Sequence, residues 1–73
     1  ISQAVMYTSG YIDGVAEAQS LTLSPRPFFT FREMAGFQLS LATLFWDFPL
    51  TFTYFMGRYD AFMQAADLAG EPR

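Results

Sequence analysis

From Met34 to Gly57 the chain carries one formal charge, Asp47. That gap constrains the fold more than any other feature of the sequence. A helix on the surface of a globular protein sets charged and polar residues on its outer face, and a helix of this length should show several. As one helix, residues 34–57 would reach about 36 Å at 1.5 Å per residue, against about 30 Å for the hydrocarbon core of a bilayer. Arg32 and Glu33 stand before the stretch and Arg58 after it. It reads as one tilted membrane span. The insertion balance is close: Leu and Phe together contribute about −4 kcal/mol, and a mid-span aspartate opposes them with about +2.5 to +3.5 kcal/mol. Gln38, Pro49 and the threonines add to that cost. Such a span is weak alone in lipid and needs protein neighbours.

Proline lacks an N–H, and its ring clashes with the carbonyl four residues back. Pro49 therefore implies a kink or a stop near 47–49. Two arrangements follow. In one, a kinked or broken rod continues to about Leu68. In the other, a first helix ends near Trp46 and Asp47 caps a second, with Pro49 in its first turn. No Gly or long polar loop here supports a sharp reversal into a hairpin, so the rod is the expected form. Leu50 to Tyr54 also alternate with period two, as in a strand, but their flanks look helical.

Along the rod, Gly36, Ser40, Thr43, Asp47 and Thr51 recur at helical spacing as a small, polar stripe. Phe37, Leu41, Leu44, Phe48, Phe52 and Phe55 form a bulky stripe beside it. In membranes, small residues sit where helices touch and polar ones bond across the contact. The small stripe is thus the expected packing surface for a partner, with Asp47 facing protein. The competing reading is that both stripes are the faces of a core helix in a soluble bundle.

Two local signals fix helix ends. Thr30-Phe31-Arg32-Glu33 matches the capping box, with Phe29 and Met34 placed for a hydrophobic staple. Gly70 stops the last helix, leaving 70–73 as a tail. Residues 1–20 read as an amphipathic helix with Ile1, Val5, Thr8, Ile12 and Val15 on one face. Gly10, Gly14 and Ala18 form a second row. Each Gly inside a helix costs about 1 kcal/mol relative to Ala. Close approach of another backbone would offset this and adds Gly10 and Gly14 to the packing residues; alternatively, Gly10 divides two shorter pieces. Ser24, Pro25, Arg26 and Pro27 make 21–29 an extended linker. After Gly57 the pattern turns amphipathic, with Tyr59, Phe62, Ala66 and Ala69 on one face and Arg58, Asp60, Gln64 and Asp67 polar.

Composition narrows the chemistry. The chain has 73 residues, no Cys and no His, with a net charge of −3. Imidazole ligation and catalysis are excluded, and an acidic balance argues against a nucleic-acid partner. No phosphate loop, nucleophile set or zinc spacing is present. Asp13 and Glu17 share a helix face that reads as solvated, and Asp47 is the one candidate for a special role. No cofactor is expected beyond apolar contact with lipid or pigment. Ile1 at the first position points to a processed chain or part of a longer product.

The expected fold is all-α: an N-terminal amphipathic helix over 1–20, a Pro-containing linker, and one long kinked or broken apolar helix over 30–69 with a transmembrane segment about 34–57. The expected function is that of a non-catalytic accessory subunit of a membrane complex, such as respiratory and photosynthetic complexes contain. It would pack against larger integral-membrane subunits and lipid in an organellar or bacterial inner membrane, with no small-molecule substrate. The alternative is a soluble helical interaction module that buries its Phe-rich faces against a partner.

Overall fold

The computed structural model describes residues 1–23 and 29–72. Three helices follow one another: α1 (Gln3–Thr22), α2 (Phe31–Leu44) and α3 (Pro49–Leu68). Ser24, Pro25, Arg26, Pro27 and Phe28, most of the expected linker, lie outside the described residues, as does Arg73.

Each helix end has a local cause. The Ser2 side chain accepts from the Val5 N–H at 3.2 Å and starts α1. At Thr30 the full capping box forms: the Thr30 hydroxyl accepts from the Glu33 N–H, and the Glu33 carboxylate accepts from the Thr30 N–H, both at 3.1 Å. The Phe29 ring meets Phe37 edge-on at 5.1 Å. At the end of α3, Gly70 takes φ +71°. The Gly70 N–H then reaches the Asp67 carbonyl at 3.1 Å, and the Glu71 N–H the Ala66 carbonyl at 3.0 Å. This is the Schellman arrangement, which an L side chain at the left-handed position would strain.

The expected rod over 30–69 does not form. The backbone leaves the helix at Phe45, and the Phe48 N–H closes a turn onto the Phe45 carbonyl at 2.9 Å. Phe48 lies outside the helical region, at φ −114° and ψ 89°, and Pro49 occupies the first turn of α3, where its missing N–H costs nothing. Asp47 does not cap α3, since the N-cap is Phe48 and has no side-chain cap bond. α3 then runs back along α2. The Gln38–Arg58 and Arg32–Asp67 contacts and the stacked Phe45 and Phe55 rings record this antiparallel pairing. The reversal needs no glycine, because the turn residues keep negative φ and the only described residue with positive φ is Gly70.

The reversal also corrects the membrane expectation. Among the described residues no helix is long and apolar enough to cross a membrane. α2 has 14 residues, about 21 Å of helix against a core of about 30 Å. α3 carries Arg58, Asp60 and Asp67 within its length. The apolar stretch 34–57 is thus divided between two helices and a turn. The span that placed the chain in an organellar or bacterial inner membrane is absent, and that placement falls with it.

α3 is the shared element. It packs against α1 on one side and α2 on the other, while α1 and α2 scarcely touch. α1 runs parallel to α3, as Gly10 lies against Tyr54 and Gly14 against Arg58 and Ala61. The three helices converge where Ala18, Ala35 and Phe62 form the core, with Leu21, Phe31, Met34, Tyr59 and Met63 around it.

Candidate functional site

The α1–α3 contact is built from missing side chains. A Cβ on Gly10 would overlap the Tyr54 carbonyl oxygen, and one on Gly57 would meet the Tyr11 nitrogen at 2.8 Å and overlap the Tyr7 carbonyl. A Cβ on Gly14 would stand 2.7 Å from that of Ala61. The close approach suggested for Gly10 and Gly14 therefore occurs inside the chain, onto α3. With the backbones this near, side chains at the edges bridge the two helices. Tyr54 donates to Asp13 at 2.6 Å, Tyr7 donates to Asp60, and Arg58 pairs with Glu17. The Asp60 and Asp13 hydrogen bonds are the main cause that pushes the Tyr7 and Tyr54 hydroxyls above the usual tyrosine range; partial burial adds to it.

Arg58 ties the whole bundle. Besides Glu17 of α1, its Nε donates to the buried Gln38 of α2 at 2.9 Å, and its guanidinium lies 5.7 Å from the centre of the Phe62 ring. The Gln38 side-chain oxygen is thereby satisfied, and no described buried side-chain polar atom lacks a partner. Asp13 and Glu17, read from the sequence as a solvated pair, are members of this interlock. Their partners lie 41 residues away, beyond the reach of helix periodicity.

A second clasp joins the start of α2 to the tail. The Glu71 carboxylate accepts from the Phe31 N–H at 2.8 Å and the Arg32 N–H at 3.0 Å. Arg32 in turn reaches Asp67 at 3.2 Å and the Pro72 carbonyl at 2.8 Å. A carboxylate on free amides at a helix N-terminus is favoured by the hydrogen bonds and the dipole together.

What remains is the outer face of α2. Its inner face, Ala35, Gln38 and Ala42, is covered by α3. Gly36, Phe37, Leu39, Ser40, Leu41, Thr43 and Leu44 are all exposed, and the turn adds Trp46, Asp47 and Phe48. Leu44, Trp46 and Phe48 are 70%, 75% and 57% exposed. A Cβ on Gly36 would meet nothing within 4 Å. Of the residues expected to pack on a partner, Gly36, Ser40, Thr43 and Asp47 share this open surface, while Thr51 is half-buried on α3. The bulky residues Phe37, Leu41, Leu44 and Phe48 share it as well.

The interior is the converse. Phe62 is the only large side chain among the described residues that is fully buried; the rest of the buried hydrophobic set is alanine. A separate groove of about 480 Å³ opens between α1 and α3, walled by Val15, Ala18, Ala61 and Leu68 with Gln19 and Gln64 among its polar atoms. No described cluster of His, Cys, Asp or Glu has the geometry to hold a metal ion. No family model, curated protein or solved structure matches this chain.

Proposed function

We propose that this chain is a non-catalytic helical interaction module whose outer α2 face and 45–48 turn are buried against a partner protein. One observation carries the reading. Trp46, Leu44 and Phe48 stand mostly in solvent, beside an outer helix face with no charge between Met34 and Trp46. Contiguous apolar surface of this kind marks interaction sites, whereas scattered exposed apolar residues are ordinary. Trp and Phe in a patch core are also the residues that anchor interfaces. The carboxylates, by contrast, are used as structural acceptors: Asp13, Glu17, Asp60, Asp67 and Glu71 all hold helices together. None of them is set in a cleft as a general acid or base.

Oxidative footprinting of Trp46 tests this. The fold alone leaves the indole 75% exposed, so it should oxidise almost as fast in the free folded chain as in the unfolded one. In gently lysed source cells it should be strongly protected relative to the same residue in denaturant. Equal oxidation in lysate and in denaturant would sink the reading.

A further inference from the structure

We infer that the occupant of this face is a second copy of the chain, with the two α2 helices packed antiparallel about a two-fold axis between Leu41 and Leu44. The inference rests on the reading of the α2 face as a docking surface and names its partner. Phe37, Leu41 and Leu44 are spaced by four and three, the interval of a coiled-coil seam, and Phe48 in the turn follows four residues later. An antiparallel two-fold matches such a seam to itself. Leu41 of each copy meets Leu44 of the other, and Phe37 meets Phe48.

Charge selects the same arrangement. The chain has a net charge of −3, so two copies repel unless they touch where carboxylates are absent. Asp13, Glu17 and Asp60 are engaged between α1 and α3, and Asp67 and Glu71 sit at the opposite end of α2. Among the described residues, the face from Met34 to Trp46 carries no carboxylate of its own; Glu33, held in the Thr30 capping box, and Asp47 stand at its two ends. Asp47 falls at its rim, in the turn beyond α2. A basic partner would find only Glu33 and Asp47 to pair with, one at each end of this surface.

Area and size agree. Phe37, Trp46 and Phe48, at their observed exposures, leave on the order of 400 Å² open if each aromatic side chain carries about 150–250 Å². Leu41 and Leu44 bring the face towards the roughly 800 Å² per partner of a standard interface. A single core in a chain of this length supplies little stability, about 3–5 kcal/mol at most. With no Cys and, among the described residues, Phe62 as the one fully buried large side chain, it gains from a second copy the burial that its own core lacks.

Sedimentation equilibrium of the purified chain, across roughly 0.5–100 µM to bracket a micromolar dissociation constant, decides the matter. The expected result is the mass of two chains at the upper end, falling towards one on dilution. Leu44→Glu should weaken association at least about tenfold while circular dichroism keeps its helical content, since Leu44 is exposed within one chain. A single-chain mass throughout, with helicity intact, would overturn the inference, as would a Leu44→Glu chain that pairs as tightly as its parent. The dilution series stands even if the variant fails to fold. Should the purified chain be monomeric while Trp46 is protected in lysate, the second copy is ruled out and the docking face serves another protein. Monomer with Trp46 unprotected in lysate removes both readings.

Discussion

The two sides of α3 present the molecule's main contrast. Where α3 meets α1, glycines and alanines let the backbones nearly touch, and every edge is tied by a hydroxyl–carboxylate or guanidinium–carboxylate bond. Across α3, α2 buries Ala35, Gln38 and Ala42 and turns Phe37, Leu41 and Leu44 outwards, with Trp46 exposed in the turn that follows. One region is closed by smallness and the other left open by bulk. In a chain this short, large side chains do not identify the interior. The interior is where side chains are missing, and bulk marks what is left over for contact.

The largest test of that contrast pairs two aromatic truncations. Phe62→Ala empties the only fully buried large position among the described residues and should cost about 3–5 kcal/mol in urea unfolding. Trp46→Ala, measured where the chain is a single copy, should stay within about 0.5 kcal/mol of the parent. Comparable losses at both sites would mean that Trp46 is buried in the fold and the contrast is false.

Next, one chemical change should have opposite signs in the two regions. Gly10→Ala drives a methyl into the Tyr54 carbonyl and should destabilise by about 1–3 kcal/mol through overpacking. Gly36→Ala meets open space and should stabilise by up to about 1 kcal/mol through helix propensity. Thermal unfolding of both variants reads the difference, and equal effects would show that the α1–α3 approach is looser than described.

The tail clasp should be worth less. Glu71→Ala removes the carboxylate on the Phe31 and Arg32 amides and should cost about 0.5–2 kcal/mol, the range for losing a helix cap. Hydrogen exchange at those two amides should rise with it, while exchange within the α1–α3 contact stays unchanged.

The smallest effect is in pH. Tyr7 and Tyr54 titrate above their usual value in the fold because each donates to a carboxylate. A raised folded pKa means the folded chain holds those protons more tightly than the unfolded one. Their contribution is therefore complete below about pH 10, the tyrosine reference, and is lost as pH rises through the folded values. Unfolding free energy should decline on the alkaline side, and the double variant Tyr7→Phe, Tyr54→Phe should flatten that decline. An unchanged slope would place its origin elsewhere.

Local signals were legible in the sequence, and distant ones were not. Thr30 with Glu33, and Gly70 after Leu68, each fix a helix end through atoms a few residues apart. The row Gly10, Gly14, Ala18 signalled close packing but could not name the facing helix, because Gly57 read as the end of an apolar span. The hairpin was hidden for a related reason. Its turn, Phe45 to Phe48, is bulky and has none of the usual turn glycines. What turns the chain is Pro49 at the first position of α3, together with the inner face Ala35, Gln38 and Ala42, which has α3 to cover it. That face was overlooked beside the more visible Gly36 and Ser40. Asp13 and Glu17 looked solvated since Tyr54 and Arg58 are far along the chain.

The parallel seating of α1 on α3 has a consequence for how the molecule comes together in time. α2 and α3 are joined by a short turn and can zip from it outwards, closing small loops first. α1 has no such neighbour. Its groove is lined by Tyr54, Gly57, Arg58 and Ala61, residues synthesised some forty positions after it. Of the three helices, α1 is made before the other two and is therefore the last able to dock. Until α3 arrives, its glycine row is exposed on a helix that two glycines make weak. Nascent α1 should fray and re-form repeatedly, and settle only when the hairpin presents the surface it fits.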